Sequence, residues 1–335
     1  MSESEIVLAK IACLRYIAFT LFLRYVGVRI TSTTVKRLRF LAILLLVARV
    51  GSVVAGTGTF QAQPSPSPAD ENSHDLFSWE TTYTFSSDFN ESKLGHGDSL
   101  YDDFTYDHRF LLTGKWYLRL GVEYERYDFG GTNNGLPDHL QAAYGHLAVE
   151  YIVKDFAAAG IEFDPGVYFQ DNVTSNAFDI PTRAWFSFRL LDDKVFAVVG
   201  LGWALYQDPP VAPGGGIIWR INDKLRLQGV FPKPALIWQP NNDWDLRLVG
   251  DFNYTSFRTD DVVSHTEQKL DLRDAVLQYS EYRAGAQIGY TGIKHLKLMV
   301  GGGVSIERDF DFFRANQSKR TDPAPYVRGA AELKF

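Results

Sequence analysis

The stretch GHGDS sets His96 and Ser99 three residues apart, a base and a hydroxyl nucleophile of the kind that cleaves esters. In an extended strand, positions i and i+3 point to opposite faces, so the two meet only in a loop. Gly97 and Asp98 between them read as turn residues, and no Asn or Asp is placed to orient the histidine. His108, His139 and His146 are scattered, without the i, i+4 spacing or cysteine company of a zinc site. The GGG runs at 214–216 and 301–303 lack the Lys and Ser or Thr of a phosphate loop. The first reads as a loop, and the second as a strand position relieving crowding. No catalytic residue, metal or cofactor is expected.

A second pattern carries more chemistry, because charged residues recur at every other position. KWYLRLGVEYERY sets Trp116, Leu118, Leu120, Val122 and Tyr124 against Arg119, Glu123 and Glu125. WDLRLVGDFNYTSF sets Trp244, Leu246, Leu248, Gly250, Phe252 and Tyr254 against Asp245, Arg247, Asp251 and Asn253. RAWFSFRL, with Arg189, and YVRGAAELKF, with Arg328, follow the same design. These are too many charges for a dry sandwich core, where an unpaired buried charge costs several kcal/mol. A wet lumen accommodates them. Arg119, Glu123, Glu125, Arg189, Arg247, Asp251 and Arg328 are therefore the candidate lumen-lining residues.

The elements that position these charges read as strands with almost no helical period. Tight turns at Thr113–Lys115, Leu191–Lys194, Asn222–Lys224, Pro240–Asp243 and Thr291–His295 imply antiparallel hairpins, and longer connections rich in Gly, Asn and Pro alternate with them. A strand crossing lipid must satisfy its backbone through neighbours, so a closed barrel with an apolar outside is the expected form. The fold class expected is all-β, an antiparallel up-and-down transmembrane β-barrel. About fourteen candidate strands can be counted, of which three between Gly216 and Gln239 are short for a span. Merging two of them gives 12 strands, with 10 and 14 as limits. The 17 Tyr, 24 Phe and 7 Trp suit interfacial girdles.

Composition bounds the rest. The 335 residues are 45% hydrophobic and 14% aromatic, so the chain folds. Its net charge of -6 argues against a nucleic-acid partner. The single cysteine, Cys13, leaves the remainder without disulfides. Lys36, Arg37 and Arg39, the apolar run Phe40–Ala48 and the small residues near Ala55 form the three regions of a secretory signal, with cleavage after Ala55 or Ala62. An uncleaved anchor is the alternative, but charges break every candidate span. The expected organisation is an N-terminal extension and signal over 1–55, a Pro/Ser-rich linker over 56–75 and the barrel over 76–335.

The final strand places Val327, Gly329, Ala331, Leu333 and Phe335 on one face. This resembles the assembly signal of bacterial outer-membrane proteins, a resemblance that implies the outer membrane of a Gram-negative cell, a lipid bilayer partner and recognition by the barrel insertion machinery. The run GGGIIWRINDKLRLQGVFPKPALIWQPNNDWDLRLVGDF resembles a group of outer-membrane barrels known only as a domain of unknown function. A passive, porin-like channel or an envelope structural barrel is the function expected. The alternatives are an outer-membrane lipid-modifying hydrolase and a secreted soluble β-sandwich binding domain.

Overall fold

The computed structural model describes residues 74–90, 95–130, 136–153, 156–191, 194–260, 272 and 274–335. The expected signal over 1–55 and the expected linker over 56–75 lie outside them except for His74 and Asp75, which begin the first strand. Fourteen strands close into one barrel: β1 (His74–Asp88), β2 (His96–Thr113), β3 (Trp116–Phe129), β4 (His139–Val153), β5 (Ala157–Phe163 and Gly166–Phe169), β6 (Phe178–Asp179 and Thr182–Leu191), β7 (Val195–Trp203), β8 (Val211–Arg220), β9 (Leu225–Val230), β10 (Ala235–Trp238), β11 (Trp244–Arg258), β12 (Val276–Ile293), β13 (Leu296–Phe312) and β14 (Gln317–Arg320 and Ala324–Lys334). Each pairs antiparallel with the next, and β14 returns to β1 in register from Leu76↔Lys334 to Thr84↔Tyr326. The three interrupted strands break at Pro165, Pro181 and Pro323, where proline has no N–H for the ladder.

The wall is uneven. β12 has 18 residues, roughly 60 Å along the strand, whereas β10 has 4. The short strands of the Gly216–Gln239 region do not merge with their neighbours, which puts the count at 14, the upper limit of the expected range, and not at its centre of 12. Their connection, Phe231–Pro234, sits halfway up: Phe252 N–H donates to the Pro232 carbonyl at 3.1 Å and Gly250 N–H to that of Pro234 at 2.8 Å. Above that level other chain closes the gap. Arg258 of β11 bridges in parallel to Phe169 of β5, and the Tyr254 hydroxyl donates to the Asp208 carbonyl at 2.9 Å. The Gly301–Gly303 run faces Gly285 of β12, and a side chain at Gly303 would run into the Ala284 carbonyl. Close strand approach explains those glycines.

Period two persists along the long strands, but the two faces exchange solvents partway up. On β3 the outward residues run Trp116, Leu118, Leu120, Val122, Tyr124 and then Arg126 and Asp128, while the inward ones run Arg119, Glu123, Glu125 and then Tyr127 and Phe129. β12 does the same in reverse: Ser280 lies outside, with Gln278 on the same face but buried under Asp208, opposite inward Leu277 and Tyr279, and then Tyr282, Ala284, Ala286 and Ile288 lie outside opposite inward Glu281, Arg283 and Gln287. On β13 a bulge at Ile306, opposite Tyr282 and Arg283 of β12, precedes outward Glu307, Asp309 and Asp311 over inward Phe310 and Phe312. The lower section is built for lipid, with an apolar outside and a charged inside. The upper section is built for water, with a polar outside and an aromatic inside.

This boundary has a measurable consequence. Leu248→Arg, on an outward residue 61% exposed in the lower band, is expected to cost about 2–4 kcal/mol in lipid-reconstituted unfolding. Ser280→Arg, above the boundary, is expected to change stability by no more than about 0.5 kcal/mol. Equal costs would mean the band is misplaced.

Candidate functional site

Six of the seven lumen candidates point inward and are held by partners. Arg119 lies 3.2 Å from Asp107, 3.4 Å from Glu150 and 2.8 Å from Glu162. Glu123 meets His146 Nε2 at 2.9 Å, and Glu125 accepts from the Tyr144 hydroxyl at 2.6 Å. Arg247 forks onto Asp245 at 2.7 and 2.9 Å. Asp251 takes Arg283 at 3.0 Å and Arg328 at 3.2 Å, and Arg328 also pairs with Glu80. Arg189 is placed otherwise: it is exposed near the short turns, its guanidinium 5.5 Å over the Phe156 ring.

Pairing brings in residues that sequence spacing does not single out. His146 Nδ1 lies 3.0 Å from Glu162 and 3.1 Å from Asp164, and Arg183 reaches the same two carboxylates at 3.0 and 2.8 Å. His146, Glu162 and Asp164 offer a metal-ligand set. Their oxygens already accept from Arg183 and Arg119, so the cluster is an ion-pair network with its own cations. Glu281 accepts from Thr84 and Ser305 at 3.2 and 2.7 Å, and Arg308 donates to Ser87, Ser99 and the Gly97 carbonyl. That contact also settles the His96 and Ser99 pair. Ser99 is buried against Arg308 while His96 is exposed, so they do not form a nucleophile and base.

Beside the network lies an open space. A chamber of about 200 Å³ lies between β1–β2 and β9–β14, lined at its top by Glu80, Asp103, Lys233, Asp251 and Arg328 and reaching Leu76 and Glu332 near the short turns. Above it stands the aromatic core of the upper section. Tyr127 and Tyr279 rings are 4.9 Å apart, Phe129 and Phe310 4.9 Å, and Tyr279 and Phe310 5.0 Å. Tyr101, Leu140, Phe257, Leu277 and Phe312 fill in around them. Charges within bonding distance and rings in contact make a closed lumen with a blind polar chamber.

No family model matches the chain, and no curated protein matches it. The resemblance to a barrel group of unknown function therefore stays a resemblance. Among solved structures, the chain is similar to the toluene transporter TodX of Pseudomonas putida, at 11% identity over 84% of this chain and 94% of that one, with a TM-score of 0.38. It is similar to an outer membrane channel from Pseudomonas putida F1, at 12% identity over 78% and 95%, with a TM-score of 0.43. It is also similar to LpxR from Salmonella typhimurium, at 11% identity over 76% and 99%, with a TM-score of 0.35. At such scores, what those proteins carry or modify remains theirs alone.

Proposed function

We propose that the chain is a passive channel of the bacterial outer membrane, closed at rest by the aromatic core of its upper section. The observation that carries this reading is the charged chamber inside the lipid-facing section, roofed by packed rings. A barrel built only as a structural wall gains nothing from a charged pocket within the bilayer, where each desolvated charge is costly. The test is single-channel recording on the refolded barrel. A closed baseline broken by discrete openings supports a channel. A heat-modifiable barrel that stays silent even when its roof is truncated would instead be an envelope structural protein. The hydrolase reading has no supporting constellation among the described residues, since Ser99 is committed to Arg308.

Assembly belongs to the same proposal. β14 closes the barrel on β1, with Phe335 and Asp75 exchanging backbone hydrogen bonds at 3.0 and 3.1 Å, and Val327 and Phe335 are exposed to the lipid side. With Gly329, Ala331 and Leu333 they form the face offered to the insertion machinery. Phe335→Ser is expected to lower the amount of barrel in the outer membrane several-fold while leaving refolding in detergent unchanged. A loss in both would make Phe335 a residue of stability rather than of recognition.

A further inference from the structure

Where the aromatic core meets the charged network, three polar side chains from distant parts of the chain line one small cavity. They are Glu125 of β3, Gln207 of the β7–β8 connection and Ser256 of β11, which are 3%, 5% and 8% exposed. Glu125 Oε1 accepts from the Tyr144 hydroxyl at 2.6 Å, but Glu125 Oε2, Gln207 Nε2 and Ser256 Oγ have no hydrogen-bond partner among the described residues. Other polar groups of the same lining are engaged. The Tyr168 hydroxyl donates to the Asp164 carbonyl at 3.3 Å, Arg183 to the Asp164 carboxylate at 2.8 Å, and the Ile180 N–H to Asp179 at 2.7 Å. Buried polar atoms are almost always satisfied, so three orphans at one cavity mark a place where something else binds.

Their chemistry says what. A carboxylate oxygen accepts, an amide nitrogen donates and a hydroxyl does either, so the occupant must donate and accept at once. An ion suits the lining poorly: the Arg183 guanidinium opposes a cation, and Glu125, Asp164 and Asp179 oppose an anion. Size decides the rest. The cavity holds about 20 Å³, where one water needs roughly 10–15 Å³ and two to four polar partners.

We propose that this cavity binds a single water, which donates to Glu125 Oε2, accepts from the Gln207 amide and takes Ser256 Oγ as its third partner. The water ties the β7–β8 connection to β3 and β11, two strands whose ladders run to other neighbours. That connection is part of the chain that closes the wall above the Phe231–Pro234 turn, and elsewhere it is held by Tyr254 donating to the Asp208 carbonyl at 2.9 Å and by the Asp208 N–H donating to Gln278 at 3.1 Å. The water fastens its inner side. The inference goes beyond the channel reading and holds whether or not the barrel conducts.

The experiment is a crystal structure of the refolded, heat-modifiable barrel from the full chain, grown in rubidium bromide, with Gln207→Met and Ser256→Val barrels beside it. In the wild type a density peak without anomalous signal is expected within about 3.2 Å of Glu125 Oε2, Gln207 Nε2 and Ser256 Oγ. The peak should vanish in Gln207→Met, which keeps the length of the side chain but cannot donate, and in Ser256→Val, whose added methyl enters the cavity. Deuterium exchange over residues 204–210, read in solution, should rise several-fold in both variants. A rubidium signal at the site would make it a cation site, a bromine signal an anion site, and no peak a dry cavity, and each would overturn the proposal. A water retained in Gln207→Met, or exchange no faster in either variant, would equally overturn the bridge.

Discussion

Tyr127→Ala is expected to turn a silent barrel into a conducting one. Tyr127 is 1% exposed at the centre of the aromatic roof, with ring centroids 4.6 Å from Tyr101, 4.9 Å from Tyr279 and 6.0 Å from Phe257. Truncating a buried aromatic removes its apolar contacts and leaves a void, at a cost of about 3–5 kcal/mol. That loss falls on the water-facing section, above the lipid band where Trp116, Leu120 and Leu248 anchor the wall. The lower barrel is therefore expected to keep its heat-modifiable mobility while the roof loosens. In planar bilayers the wild type should hold a closed baseline, and the variant should open in discrete steps. Steps of equal size and frequency in both would show that the roof is no barrier. A folded variant as silent as the wild type would place the closure in the charged network below.

The architecture was legible because strands in two solvents alternate visibly. KWYLRLGVEYERY and WDLRLVGDFNYTSF name their lipid and lumen faces without help. What alternation hides is an exchange of solvents that keeps the period. Tyr127 and Phe129 continue the inward series of Arg119, Glu123 and Glu125 without a break in spacing, so the aromatic roof looks like more of the same strand. The short strands β9 and β10 were visible, but nothing in their composition says that they stay separate. That depends on the ladder bonds of Pro232 and Pro234 to β11. The site was less legible. His146 and Arg183 meet on Glu162 only because register sets β4, β5 and β6 side by side. Lys233, between two prolines in a four-residue turn, carries no period at all.

Arg183→Met is expected to be among the most destabilising single substitutions in the lumen. Its guanidinium, on a side chain 5% exposed, reaches Glu162 at 3.0 Å and Asp164 at 2.8 Å. Those carboxylates sit with Glu123 around His146, and among the described residues only Arg119, 2.8 Å from Glu162, remains as a second strong cation. Removing one partner of a buried pair leaves the other charge without compensation, which costs about 3–5 kcal/mol. Taking the carboxylate away as well should recover much of the loss, because the desolvation penalty leaves with it. Arg183→Met with Glu162→Gln is thus expected to be less destabilising than the two single substitutions added together. Urea midpoints read from heat-modifiable mobility, in a double-mutant cycle, provide the measurement. An Arg183→Met barrel within about 1 kcal/mol of the wild type would mean that water reaches these carboxylates. The lumen at that level would then be a wet passage, and closure would rest on the aromatic roof alone.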